Sequence, residues 1–280
     1  MINYNHKRGK VILAGAGPGD PELLTIKTAR YLQQADIVLT DRLVSNSILT
    51  TYVSASAEII YVGKQCRRGA STPQSSINEL MVWHALQGRL VVRLKGGDVS
   101  IFSNILDELE ALAEEKIPYE IIPGVTAALG AAAYAGIPLT ARGLSTAVRF
   151  VTYYKSDVVT DNYWKELAAT NDTLVFYMSA ETLSGVVEHL VSHGISEEKK
   201  MAVIEQATTP EQQVLVSELR EYAKKYGDKQ YISPSIVIIG KVVTLHEQFG
   251  WIMNNESPKE YFKPVEAKII APEGKKAERA

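Results

Sequence analysis

Residues 10–25 read KVILAGAGPGDPELLT. Lys10–Ala14 is a short apolar run that predicts a buried strand, and Gly15, Gly17 and Gly19 follow it around Pro18. Leu24–Gln34 then predicts a helix, with Leu24, Ala29, Leu32 and Ala35 at roughly helical spacing. A strand that ends in glycine and opens a helix is a place where backbone N–H groups can approach an anion. A dinucleotide fingerprint would need glycine at 15, 17 and 20. Position 20 is Asp20, an aspartate where pyrophosphate would sit, and Pro18 removes a backbone donor inside the turn. No Gly-Lys-Ser/Thr closes the turn, so a Walker A loop fails as well. A helix-capping role explains Asp20, Pro21 and Glu22, but not three glycines alternating around a proline.

The alternation continues outward from this turn. Asp36–Thr40, Ile59–Val62, Leu90–Leu94 and Tyr119–Ile122 predict strands; Ser75–Gln87 and Ile105–Glu115 predict helices between them. This order points to a largely parallel sheet covered by helices. A small-residue helix, Ala127–Ala135, precedes the turn segment GIPLTARG at 136–143, where a domain boundary is expected. A second α/β set follows, with strands at Val148–Tyr153, Thr173–Met178, Met201–Glu205 and Ser235–Ile239. Its predicted helices are Tyr163–Ala169, Leu183–His193 and Val216–Lys225. The expected organisation is an N-terminal domain over 9–138, a C-terminal domain over 144–250 and an exposed extension over 251–280. No internal repeat is evident.

Polar or glycine residues stand directly after the predicted strands. Asp41-Arg42 follows DIVLT, Gly63-Lys64 follows IIYV, Lys95-Gly96-Gly97-Asp98 follows LVVRL, and Pro123-Gly124-Val125-Thr126 follows YEII. In a parallel sheet the carboxyl ends of strands share one edge, and ligands bind there. Each loop alone is ordinary, whereas together they predict a ligand cleft.

Composition narrows the class. Thirty Lys and Arg against 32 Asp and Glu, a net charge of −2 over 280 residues, argue against a general nucleic-acid binder. One cysteine, Cys66, excludes an intramolecular disulfide and a cysteine-rich zinc site. The longest apolar run, Ala127–Leu139, is too short for a bilayer span and holds two glycines and a proline. A cytoplasmic protein without membrane or nucleic-acid partners is expected. His189 and His193 stand four apart, but HLVSH lacks the glutamate of a metalloprotease helix, so no metal site is expected.

GAGPGDPELLTIKTARYLQQADIVLTDRLVS (15–45), VGK (62–64), VVRLKGGD (91–98), IIPGVTAALGAAAYAGIPLT (121–140) and QATTPEQQ (206–213) together resemble the tetrapyrrole methylase family. The resemblance runs from about Lys10 to about Phe249. It implies two αβα domains of the class III methyltransferase type, with S-adenosylmethionine in the cleft between them, a tetrapyrrole as substrate and a homodimer as the assembly. Carried over position by position, Pro18, Gly96, Gly97, Asp98, Ile101, Thr126, Ala127, Met178 and Ala207 would surround the cofactor. Asp41 matches the family's proposed proton acceptor and Lys64 its proposed proton donor. Arg42, Arg93, Lys95 and Arg142 are candidates for the substrate's carboxylates. The implied activity is C-methylation of uroporphyrinogen III to precorrin-2, on the way to sirohaem or cobalamin.

The chain also departs from the pattern. The family continues Gly-Gly-Asp with Pro-Phe-Ile-Phe-Gly-Arg-Gly-Gly-Glu-Glu; here Val99–Glu108 reads VSIFSNILDE. The family's Leu-Thr-His-Arg-Gly is Leu139-Thr140-Ala141-Arg142-Gly143, and its Thr-Gly-His is Thr152-Tyr153-Tyr154. An arginine, two imidazoles and several glycines are therefore replaced. Two alternatives follow: methylation of a later precorrin, or a tetrapyrrole- or cofactor-binding module with impaired turnover.

Overall fold

The computed structural model describes residues 9–62, 73–153, 159–227 and 229–262. The first half builds one sheet from β1 (Lys10–Gly15), β2 (Ile37–Thr40), β3 (Glu58–Tyr61), β4 (Leu90–Lys95) and β5 (Tyr119–Ile122). Their order is β3-β2-β4-β1-β5, with every pair parallel. Helices α1 (Ile26–Gln34), α2 (Asn46–Tyr52), α3 (Gln74–Leu86) and α4 (Ile105–Glu114) cover it. The β1 side chains alternate between two cores. Ile12 and Ala14 pack with Leu32 of α1 and Ile48 of α2, while Val11 and Leu13 pack with Met81 of α3 and Leu112 of α4. Burial on both faces is why the strand reads as a continuous apolar run.

The second half builds a mixed sheet from β6 (Val148–Thr152), β7 (Thr173–Tyr177), β8 (Lys200–Glu205), β9 (Gln213–Glu218) and β10 (Ser235–Gly240), ordered β6-β7-β10-β8-β9. Only β6 and β7 pair in parallel; the other neighbours are antiparallel. Trp164 and Leu167 of α6 (Asp161–Ala169) and Val186 and Leu190 of α7 (Leu183–Ser192) fill the core on one face.

Two local expectations change. The predicted helix Val216–Lys225 is instead the end of β9, a single 3-10 turn at Leu219–Glu221 and the short helix α8 (Tyr222–Tyr226). Val216, Leu219 and Tyr222 have helix-like spacing, but Val214, Leu215 and Val216 pair with Ile204, Val203 and Ala202 of β8. Strand pairing overrides the local period. The short helix α2 was not expected at all.

The helix α5 (Ala127–Tyr134) joins the two halves. In sequence it precedes the expected boundary, yet Ala128, Ala131 and Ala132 pack with Val175, Tyr177, Ile204, Ile236 and Ile238 of the second sheet. Small side chains let the helix lie close to those strands. After α9 (His246–Phe249), most of residues 251–262 are exposed, but side chains anchor the segment: Asn254 pairs with Val214 of β9, and Phe262 is only 4% exposed. Among the described residues, no helix is long and apolar enough to cross a membrane.

Candidate functional site

The carboxyl edge of the first sheet is built from backbone. The loops after β1 and β4 pair, Gly17 N–H donating to Gly97 O at 3.1 Å and Gly97 N–H to Gly17 O at 2.7 Å. A Cβ on Gly15 would lie 2.6 Å from Gly124 N, and one on Gly124 would lie 2.3 Å from Gly97 O. Three main chains approach so closely here that glycine is required at Gly15 and Gly124. Asp98 fastens the arrangement: its carboxylate accepts Ser100 N–H at 2.7 Å and Gly124 N–H at 2.9 Å. Beside Gly97 there is room, since an added Cβ would meet only Ala127 N, at 3.6 Å.

The Gly-Pro-Gly-Asp turn is gripped by α5 and by the β8–β9 loop. A Cβ on Gly130 would lie 2.5 Å from Pro18 Cγ, and Asp20 N–H donates to Thr208 Oγ1 at 3.1 Å. The Tyr134 hydroxyl donates to Asp20 Oδ2 at 2.5 Å. Burial and this hydrogen bond push the Tyr134 phenol up to about 12. Asp20 also accepts Glu22 N–H at 2.8 Å, the capping role foreseen for it.

The second sheet meets this edge through Tyr177. Its hydroxyl accepts Ala128 N–H at 3.0 Å and lies 2.7 Å from Thr126 Oγ1. Burial raises the Tyr177 phenol above its ordinary value. The Phe102 ring, from the loop after β4, lies 5.0 Å from the Tyr177 ring. The surrounding backbone is strained. Phe102 (φ 51°), Asn104 (52°), Met178 (55°), Gln206 (48°) and Thr208 (65°) occupy the left-handed region, which favours glycine. Such conformations concentrate at ligand clamps and active sites. Ile101 and Ala127 pack at the edge of the second sheet's core, Ala207 is buried in it, and Met178 is half-exposed.

Asp41, directly after β2, is the accessible end of a buried charge chain. Arg93 Nη2 donates to Asp41 Oδ2 at 3.2 Å, while Arg93 Nε donates to Glu108 Oε1 at 2.9 Å. Lys95 Nζ reaches Glu108 Oε2 at 3.0 Å and also donates to Ser103 O. The Glu108 side chain is fully buried, whereas that of Asp41 is 25% exposed. Gly96 N–H adds a long contact to Asp41 Oδ1 at 3.4 Å. Burial and the adjacent Arg93 charge lower the Lys95 ammonium below its usual value.

This geometry corrects the expectation for Arg93 and Lys95. Both are buried, and their donors go to Glu108, Asp41 and main-chain carbonyls, so they brace the site rather than face a substrate. Arg42 donates to Ser233 Oγ at 3.2 Å, linking the two halves. Arg142 is exposed in the turn before β6 and, among the described residues, no hydrogen bond or ion pair joins it to the Asp41 group. Lys64 lies outside the described residues. Glu108 and Tyr177 escaped the sequence reading. The signal for Glu108 was present: two cations within an apolar strand require a buried counter-charge nearby.

His189 stacks on Trp164 with ring centroids 4.7 Å apart, and His193 Nε2 lies 2.7 Å from Asp161 Oδ1. Ring stacking and the His193–Asp161 contact occupy that helix face.

A family model described as Tetrapyrrole (Corrin/Porphyrin) Methylases matches residues 10–223. The siroheme synthase of Ectopseudomonas mendocina is 46% identical over 243 residues, covering 87% of this chain and 52% of that protein. The chain therefore spans about half the length of the curated relatives it matches. The uroporphyrin-III-C-methyltransferase of Thermus thermophilus superposes with a TM-score of 0.71 at 34% identity, covering 86% of this chain and 96% of that one. A second crystal structure of that protein, complexed with S-adenosyl homocysteine, gives 0.71 at 32% identity, covering 90% and 99%. A cobalt precorrin-4 methyltransferase gives 0.72 at 27% identity, covering 84% and 95%.

Proposed function

The chain belongs to the tetrapyrrole methylases, and on that premise we propose that it is an S-adenosylmethionine-dependent C-methyltransferase that converts uroporphyrinogen III into precorrin-2. The observation that carries the proposal is a partly exposed loop carboxylate, Asp41, braced from below by buried Arg93 and set beside a glycine-built cradle.

The residues present fit the cofactor. The space beside Gly97 adjoins Ala127 N, where N–H groups can meet a carboxylate or ribose hydroxyl, and Met178, Ile101 and Ala207 offer apolar surface for adenine. Thr126, Gly96, Asp98 and Pro18 complete this wall in the proposal. When bound, the cofactor supplies a methyl group activated by a sulfonium. The protein's own contribution is alignment and proton handling. A pyrrole carbon becomes nucleophilic as its ring N–H gives up proton density, and Asp41 can accept that proton at a carboxylate oxygen. Arg93 holds Asp41 in one orientation. Lys64 is the proposed proton donor, and Arg42 and Arg142 are the proposed partners of substrate carboxylates.

The proposal includes a cytoplasmic homodimer serving sirohaem or cobalamin synthesis. Methylation of a later precorrin is the second reading. It is favoured by the altered loop 99–108, in which Asn104 stands in a left-handed conformation where the family has arginine.

Purified protein, assayed with S-adenosylmethionine and either uroporphyrinogen III or precorrin-2, decides between these readings by product mass. The proposal expects two added methyl groups on uroporphyrinogen III, and turnover largely lost in Asp41→Ala with S-adenosylhomocysteine affinity retained. No binding of S-adenosylhomocysteine at millimolar concentration would overturn it.

A further inference from the structure

Residues 251–262, after α9, are tied back to the molecule. Asn254 pairs with both backbone groups of Val214 on the edge strand β9, its Oδ1 accepting Val214 N–H at 2.7 Å and its Nδ2 donating to Val214 O at 2.9 Å. Gln213 Nε2 donates to Asn255 O at 2.9 Å, and Glu211 Oε2 accepts from Asn255 Nδ2 at 2.9 Å and Lys259 N at 3.0 Å. Fully buried Gln206 then grips two points of the same segment. Its Nε2 donates to Lys259 O at 2.8 Å and its Oε1 accepts Tyr261 N–H at 2.6 Å.

The strap ends on the opposite half. Tyr261 Oη lies 2.8 Å from Ser45 Oγ and 3.4 Å from Ser47 Oγ. Ser45 occupies the N-cap of α2 but makes no side-chain cap bond there, and its hydroxyl meets Tyr261 instead. Ser45 closes the loop that starts at Asp41. Within that loop, Leu43 packs so tightly on Gly96 that an added Cβ would lie 2.8 Å from Leu43 Cβ, and Arg42 is held by Ser233. Gln206, at the other end of the chain of contacts, precedes Ala207. One segment therefore connects the β8–β9 loop to the loop that carries Asp41.

We propose that Tyr261 is a positioning residue: through Ser45, the strap 251–262 sets the place of the Asp41–Ser45 loop against the second half. The strap lies beyond the family match and adds a support that the cradle itself does not contain. The inference rests on the proposed methyl transfer only for its catalytic consequence.

The minimal test is Tyr261→Phe, which deletes one hydroxyl and leaves the ring. Hydrogen exchange in a peptide covering 41–52 should quicken by about fivefold, as expected for loss of one net hydrogen bond, while exchange in 213–218 stays unchanged. Methyl transfer should show a several-fold fall in kcat with S-adenosylhomocysteine affinity within about twofold. Ser45→Ala should match Tyr261→Phe, and the double variant should be no worse than either single one. Unchanged exchange in 41–52 would overturn the proposal. So would a parallel decline in midpoint temperature and every kinetic constant, which marks a merely structural role. If the unmodified protein transfers no methyl group, the functional proposal falls and the exchange result still decides the role of Tyr261.

Discussion

The Arg93 guanidinium stands between two carboxylates, 3.2 Å from Asp41 on its open side and 2.9 Å from Glu108 on its buried side. The fork geometry allows one side chain to serve both, which a point-charge ammonium cannot reproduce. Arg93→Lys should therefore lower methyl-transfer turnover by roughly tenfold or more, through misplacement of Asp41, while cofactor affinity changes little. Single-turnover kinetics alongside a cofactor titration would check this; equal losses in both would point to general disruption.

Glu108 counters two buried cations, Arg93 and Lys95. Glu108→Gln keeps the shape and removes the charge, leaving both cations buried and undercompensated. A loss of about 3–5 kcal/mol is expected, the range for breaking a buried ion pair. Urea unfolding monitored by tryptophan fluorescence gives the number. A loss below about 1 kcal/mol, the scale of exposed pairs, would contradict this account.

Tyr177→Phe removes the acceptor of the Ala128 N–H and the partner of the Thr126 hydroxyl. An unsatisfied buried amide costs about 1–3 kcal/mol, and that is the expected destabilisation. Because Thr126 and Ala127 are proposed to line the cofactor pocket, calorimetric titration with S-adenosylhomocysteine should also show weaker binding.

Glu120 accepts from Lys10 and Tyr31, each at 2.7 Å, and also pairs with Lys27. The Lys10 bond first, then Lys27 and Tyr31, hold its carboxyl down at about 2 against an ordinary 4.5. A depressed folded-state value stabilises the fold above the unfolded value, and that contribution is lost as pH falls. The stability difference between the unmodified protein and Glu120→Gln should be full at pH 6 and shrink progressively from about 4.5 towards 2. Denaturation midpoints at pH 6 and pH 3, repeated at high salt, would show it; a gap constant with pH would refute the assignment.

What could be read from the chain follows from burial. β1, β4 and β10 are apolar because both faces are covered, and β1 and β4 also deliver their glycines to the carboxyl edge. The site loops were legible because glycine and charge at consecutive strand ends have few other reasons to recur. The roles of Arg93 and Lys95 were not, since residue type shows charge but not the direction of the side chain within a strand. Their counter-charge lies on the next helix, 15 and 13 positions away. β9 was missed because its apolar positions also satisfy a helical period, and only pairing with β8 decides between the two. The anchoring of the exposed strap was not legible because its anchors are asparagines, glutamines and a tyrosine, which carry no periodic signal.

The double allegiance of α5 bears on how the protein is made. The ribosome delivers this alanine-faced helix before any strand of the sheet on which it packs, and the central strand β10 emerges about a hundred residues later. During synthesis the first sheet can close while α5 still presents its apolar stripe, and the second core seals only when β10 inserts between β7 and β8. Cutting the gene at the turn near residue 140 would therefore leave the first fragment with its two cores and an uncovered α5, and the second fragment without the helix that covers one face of its sheet. The nascent chain carries an unburied helix through most of the second half's translation, the interval in which a chaperone would have a surface to hold.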